Sequence, residues 1–334
     1  MTATQKEFHE DLNRAWQWRE ERGVFRQLEA CRVFHGAGEG RGPLQFWAVD
    51  RFQDHYWITQ WEDSKNTVSI FEELTRFCVS KNARSVVGLG RPEQGVPALP
   101  KILHGQPPEE RFLAREVGGS YLIQMMGARH PGLFMDHSPL RAWLKDRAQG
   151  WRVLNTFAYT GSLSVTCGNA GAAHVTTLDL SKSTVAWAQE NWIANQLPED
   201  RGRFISGDVF EWLPRLKREK QMYDCVILDP PSFSRGSRGS RGSRGKKSNF
   251  STAKDLEKLH ALALELVERG GVLVTSINSA NVTWDAYQAQ VLGAAQKLGV
   301  QLEVLERIDQ PDTFPTLLSR PQERYLKGWI LRVI

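Results

Sequence analysis

A chain of 334 residues is long enough for two domains with real cores, and 41% hydrophobic with 24% charged residues excludes general disorder. The formal charge of +5 comes from one place: without Arg235, Arg238, Arg241, Arg244, Lys246 and Lys247 the chain carries 37 basic against 38 acidic residues. Four cysteines, far apart and without C-x-x-C spacing, signal neither a zinc site nor a disulfide framework, and no run approaches the roughly 18 apolar residues of a membrane span. The amino terminus is charged where a signal peptide is apolar. The expectation is a soluble, cytosolic protein with no membrane or metal partner.

In chain order, Phe8, Leu12, Ala15 and Trp16 recur at helical spacing and Gly23 is a plausible stop, which predicts a helix over 5–22. Between Ala30 and Glu62, the β-prone runs "ACRVFHG", "LQFWAVD" and "HYWITQW" are separated by Gly-rich and polar segments, the pattern of an antiparallel meander. A helix over 70–80, a strand near Val86, and a strand pair between Phe112 and Met126 turning at Gly118-Gly119 complete an α+β domain over 1–130. From 131 to 334 the pattern alternates. Strands are expected at 153–155, 175–178, 203–205, 224–228 and 272–276, and helices after Gly161 and at 182–195, 209–217, 253–269 and 284–298. That alternation predicts a doubly wound parallel sheet, and "EVLERIDQP" and "YLKGWILRVI" add two late strands suited to an antiparallel edge.

In such a sheet a ligand lies beyond the carboxyl ends of the strands, so the residues after each strand are the candidates. After the first comes "NTFAYTGS", from Asn155 to Ser162, a loop with one glycine, Gly161; the G-x-G-x-x-G needed to seat a pyrophosphate is absent. After the second, Asp179 is placed to accept from a ribose diol, because Ser181 is the better cap for the following helix. After the third, Asp208 either contacts a ligand or, with Glu211, only caps its helix. After the fourth comes Asp229-Pro230-Pro231. A cofactor with a ribose and no phosphate fits this set.

The segments "GLFMDH", "VLNTFAYTGS", "LDLSKSTVAWAQEN", "DVFEWL", "LDPPSFS", "RGGVLVTSINS" and "YLKGWILRV" resemble those of the RlmI/RlmK group of bacterial large-subunit ribosomal RNA methyltransferases. The resemblance covers 131–334 well and 1–130 loosely. It implies a Rossmann-like class I sheet binding S-adenosylmethionine, with a smaller α+β domain engaging the RNA. It implies a cofactor site of Asn155, Phe157, Tyr159, Thr160, Gly161, Asp179, Leu180, Ser181, Asp208, Val209 and Asp229. Phe134, Asp136 and His137 are implied on the substrate side, although where the family reads Asp-His-Arg this chain has Asp136-His137-Ser138 and its next arginine is Arg141.

The target atom decides what else the site needs. Cytosine C5 is a poor nucleophile and requires a cysteine thiolate to add to the ring first. The resemblance places that cysteine where this chain has Asn278, and guanine N7 enzymes of the RlmK type, which need no thiolate, have asparagine there. The expected acceptor is therefore guanine N7, with Asp229, Pro230, Pro231, Phe233 and Asn278 around it. The alternatives are cytosine C5, a small-molecule or protein acceptor, and a non-catalytic RNA-binding module. Asn278 either contacts the base or satisfies loop backbone. The basic strip from Arg235 to Lys247 either contacts RNA phosphates or is a tolerated triplet repeat.

Overall fold

The computed structural model describes residues 3–61, 67–92, 98–231, 233–234, 250–278 and 282–334. These form two compact units, Met1–Ser138 with Gln310–Arg324, and Pro139–Asp309 with Tyr325–Ile334.

The first unit opens with α1 (Ala3–Glu21), whose Phe8, Leu12 and Ala15 are buried at the predicted helical spacing, and a short α2 (Val24–Gln27). Strands β1 (Ala30–His35), β2 (Trp47–Phe52) and β3 (His55–Gln60) form the expected antiparallel meander, with a one-turn α3 (Gly36–Glu39) after β1. Helix α4 (Thr67–Ser80) then carries the chain back, so that β4 (Ser85–Leu89) pairs parallel with β3, and β5 (Lys101–Gly105) closes the edge antiparallel. The sequence pattern does not announce β5, whose half-exposed residues show no alternation of apolar and polar side chains. Strands β6 (Phe112–Glu116) and β7 (Gly119–Ile123) form a separate hairpin, and Gly118 at its turn takes φ 87°. Val33, Phe34, Val49, Ile58, Ile70, Leu74 and Phe77 make this unit's core.

Segment 310–324 belongs to this unit, a return that the expected boundary at 130 does not contain. Arg19 shows how the return is fastened. Its side chain is fully buried and its guanidinium donates to the carbonyls of Ala15 (2.9 Å), Arg32 (2.6 Å) and Thr313 (2.8 Å), and to both carboxylate oxygens of Glu39 (2.7 and 3.1 Å). Nearby, the Arg32 guanidinium lies 4.1 Å from the centre of the Phe314 ring while forking onto Asp50. A Cβ at Gly38 would stand 1.9 Å from the carbonyl oxygen of Pro315, so only glycine lets the segment pass.

The second unit holds α5 (Ser138–Lys145) and then alternates: β8 (Arg152–Thr156), α6 (Ser162–Asn169), β9 (His174–Asp179), α7 (Lys182–Ala194), β10 (Gly202–Ser206), α8 (Val209–Arg218) and β11 (Tyr223–Leu228). Two two-residue strands, β12 (Phe233–Ser234) and β13 (Phe250–Ser251), pair with each other. The chain continues through α9 (Thr252–Leu264), β14 (Val267–Asn278), α10 (Trp284–Leu298), β15 (Leu302–Ile308) and β16 (Leu326–Val333). The sheet order is β10-β9-β8-β11-β14-β16-β15. The first five strands are parallel; β16 runs antiparallel to both neighbours, as the late strands predict. Helix α9 ends five residues before its expected end, and β14 starts at Val267, where the register against β11 is irregular and Gly270 takes φ 82°.

Side chains of successive strand residues enter opposite cores, because the pleat alternates. Leu154, Leu178, Leu228 and Leu273 pack on one face; Val153, Val175, Ile227 and Val274 pack on the other. Among the described residues no helix is long and apolar enough to cross a membrane.

Candidate active site

Strand order reverses between β8 and β11, so the loops after these two strands diverge and leave a crevice at the carboxyl edge of the sheet. The loop after β8 is built with strain. Phe157 and Tyr159 take φ of 53° and 49°, a left-handed conformation that costs a side-chain-bearing residue of order 1–3 kcal/mol. Hydrogen bonds hold it: Ala158 N–H donates to Leu178 O (3.1 Å), Tyr159 N–H to Asp179 Oδ2 (2.9 Å), and the buried Asn191 amide to Thr160 O (2.9 Å). Gly161, at φ 76°, faces α7, where a Cβ would approach Ala188 Cβ to 2.8 Å. Its glycine therefore serves close packing of α6 on α7. Gly161→Ala is expected to cost about 1–3 kcal/mol of stability, read as a lower urea midpoint; an unchanged midpoint contradicts the packing account.

Asp179 ends β9, at the carboxyl edge of the sheet. Ser181 caps α7 as expected, accepting from Thr184 N–H (3.4 Å). The Asp179 carboxylate is nonetheless also engaged by the protein itself. Oδ1 accepts from Ser181 N–H (2.9 Å) and lies 3.1 Å from Thr184 Oγ1, while Oδ2 accepts from Tyr159 N–H. The Thr184 hydroxyl has one proton and a second acceptor, Ser181 O, at 2.9 Å. With the proton on Ser181 O, each Asp179 oxygen keeps a lone pair, the arrangement a vicinal diol requires.

Asp208 does cap its helix, with Oδ1 accepting from Phe210 N–H (2.8 Å). Val209 turns its side chain into the core, and Leu180 and Ser181 are half-buried. Asn155, 1% exposed, donates to Ser164 Oγ (2.9 Å), and Thr177 Oγ1 donates to the same atom (2.8 Å), tying α6 to β8 and β9. It is a scaffold residue beneath the loop. Thr160 is buried as well.

Across the crevice, Leu228 of β11 pairs with Thr275 of β14, so Asp229 emerges beside Ser276. The buried Ser276 hydroxyl donates to Asp229 Oδ1 at 2.6 Å. Pro230 is buried and Pro231 exposed. Asn278 is exposed at the end of β14, two residues beyond Ser276 on the same side of the pleat. Phe233 lies in β12; its side chain, and all of Arg235, Arg238, Arg241, Arg244, Lys246 and Lys247, lie outside the described residues. Phe134, Asp136 and His137 belong to the first unit: Phe134 stacks on His130 (centroids 4.0 Å), and Asp136 and His137 are buried.

Sequence reasoning missed Ser276 and Thr184. Thr184 was findable as the third residue after a Ser cap, but Ser276 becomes visible only when β14 is known to lie next to β11.

The residues fit S-adenosylmethionine: an acid set for a ribose diol, a strained loop against the strand ends, and no glycine-rich phosphate cradle. Comparison with known proteins agrees. Two relatives, each named ribosomal RNA large subunit methyltransferase I, are similar along most of this chain. The Tolumonas auensis protein is 28% identical over 86% of this chain and 71% of its own length, and the Salmonella paratyphi C protein is 27% identical over 98% and 79%. The solved structure of SMU.776 complexed with S-adenosylhomocysteine has a TM-score of 0.83 and 26% identity, covering 96% of this chain and 80% of its own. The profile of the S-adenosylmethionine-dependent methyltransferases matches residues 31–322. The chain belongs to the family of S-adenosylmethionine-dependent methyltransferases.

Proposed function

We propose that this enzyme methylates a base of large-subunit ribosomal RNA, and that the acceptor is a ring nitrogen, guanine N7. The names of its relatives support the RNA class. The observation that carries the acceptor is the state of the cysteines. A cytosine C5 mechanism requires a thiolate at the acceptor. All four cysteines of the chain are described, and all are buried. Burial pushes Cys31 and Cys167 up to about 12, and raises Cys78 and Cys225 as well. That is the opposite of the lowered pKa of a reactive thiol. Cys225 pairs with Val153 and Val272 in mid-sheet, well short of the strand ends. At Asn278 an amide stands where the resemblance places the cytosine enzymes' cysteine.

S-adenosylmethionine supplies an electrophilic methyl group on a sulfonium. The N7 lone pair forms the new C–N bond as the S–C bond breaks, releasing S-adenosylhomocysteine. The positive charge passes to the base, and no proton needs removal. The protein's task is alignment, which can supply roughly 7 to 11 kcal/mol. On this reading Asp229, Pro230, Pro231, Phe233 and Asn278 surround the base. Phe157, Tyr159, Asp179 and Asp208 surround the cofactor. The first unit and the cations of the basic strip engage the RNA.

The test is transfer from labelled S-adenosylmethionine to an unmodified large-subunit RNA transcript, with the product nucleoside identified by mass. N7-methylguanosine is expected. Protein with all four cysteines replaced by alanine or serine is expected to keep most of its turnover per folded molecule. Methylated cytosine, or a folded but inactive cysteine-free enzyme, overturns the reading.

A further inference from the structure

We propose that Ser276 is a positioning residue for methyl transfer, acting through Asp229; the inference rests on the reading of Asp229 as part of the acceptor site. Ser276 is fully buried on β14, and its hydroxyl proton is given to Asp229 Oδ1 at 2.6 Å, a length typical of a hydroxyl donating to an ionised carboxylate. The contact follows from sheet geometry. Residues alternate faces along a strand, so Ile227 of β11 and Asp229 just beyond its end share a face, as do Val274, Ser276 and Asn278 of β14. Ile227 and Val274 pack in one core, and the pair Leu228–Thr275 sets Asp229 level with Ser276. Serine therefore ends a column of apolar side chains at the height where the Asp-Pro-Pro turn leaves the sheet.

The backbone on which Ser276 stands is itself held. The next residue inward, Thr275, points to the opposite face and closes a buried relay. Tyr287 OH donates to Thr275 Oγ1 (2.8 Å), and Thr275 donates to His260 Nε2 (2.7 Å). His260 Nδ1–H donates to Leu256 O (2.7 Å). Burial pushes His260 down to about 4 and so keeps the ring neutral; its one ring N–H is needed for the Leu256 carbonyl, which leaves Nε2 as an acceptor. Tyr287 in turn stacks on Trp329 of β16 at 4.9 Å, with the ring planes 14° apart. The relay joins α9, α10, β14 and β16, and it gives Ser276 a fixed platform from which to aim one carboxylate oxygen.

The chemistry gives that aim a purpose. A neutral ring nitrogen becomes cationic as it gains the methyl group. A carboxylate held beside the acceptor in a site of low dielectric stabilises that charge without having to reorient during the step. Ser276 does two things for it: it fixes the orientation, and by donating to the charged form it favours the carboxylate over the acid.

Two measurements on the full-length protein test this, one of them without RNA. In protein labelled with 13C at aspartate carboxyls, the Asp229 signal is identified by its loss in Asp229→Asn. Its titration midpoint is expected to move to higher pH in Ser276→Ala, and to return toward the native value in Ser276→Thr, which keeps a hydroxyl. In the transfer assay on the large-subunit transcript, Ser276→Ala is expected to lower kcat about 10- to 100-fold, the usual weight of a hydrogen bond to a charged group, with KM for the cofactor unchanged. In the Asp229→Asn background the same substitution is expected to cause no further loss. An unmoved Asp229 titration in folded Ser276→Ala overturns the proposal, as does an equal loss of kcat in both backgrounds. A native enzyme that fails to methylate the transcript, with the titration moved as expected, counts against the RNA reading and leaves the Ser276–Asp229 link supported.

Discussion

Arg19→Ala is expected to cost the first unit about 3 to 5 kcal/mol, the range for breaking a buried ion pair from one side. Five hydrogen bonds end on this one guanidinium, and the substitution leaves Glu39 and three carbonyls without it. Glu39 retains only part of its compensation, the backbone N–H of His35 at 2.7 Å. A typical domain is stable by 5–15 kcal/mol, so the loss is a large fraction of the whole. Urea unfolding followed by tryptophan fluorescence reads it, since Trp16, Trp18, Trp47, Trp57 and Trp61 all lie in this unit. Arg19→Lys is expected to recover little, because an ammonium cannot reproduce a planar fork onto Glu39 while reaching three carbonyls. A midpoint within experimental error of the native one refutes this account of the fastening.

Asp179→Ala is expected to weaken S-adenosylmethionine by about 1.5 to 3 kcal/mol, roughly 10- to 150-fold in Kd, the usual range for a hydrogen bond to a charged group. The substitution also removes the acceptor that holds Tyr159 N–H, so a loop already in an unfavourable conformation loses one of its ties. Thr184→Val separates the two effects. It removes only the hydroxyl that shares its proton between Asp179 and Ser181 O, and is expected to change affinity by less than about 1 kcal/mol. Titration calorimetry decides the matter. Equal affinity in native protein and Asp179→Ala shows that the diol is held elsewhere.

The second unit was legible in the sequence to a degree the first was not, and the reason is periodicity. Each β-then-α repeat in 152–298 announces itself by a switch between two hydrophobic periods, and the strand-end acids Asp179, Asp208 and Asp229 fall where that switch occurs. The reading failed where a residue's role depends on neighbours distant in sequence. Asn155 stands at the end of a strand like a ligand residue, yet its amide is committed to Ser164, which pattern alone does not reveal. Asp208 lay open between two roles, and one hydrogen bond to Phe210 N–H supports the cap. Ser276 carries no local signature, because what matters is its register with β11. β5 was missed for want of alternation, and segment 310–324 because nothing in "QPDTFPTLLSRPQER" says which body it joins.

That returning segment has a consequence for the order in which the molecule can be made. During synthesis the first 138 residues emerge early, but the carbonyl of Thr313 and the ring of Phe314 do not yet exist. At typical elongation rates of 5–20 residues per second, the interval between residues 138 and 310 is about 10 to 30 s. Throughout it the Arg19 guanidinium lacks one of its acceptors, and the Arg32 guanidinium lacks the Phe314 ring that it later meets. The first unit is thus completed only after β8 to β15 have been made, and the sheet of the second unit is closed later still, when β16 follows and enters between β14 and β15.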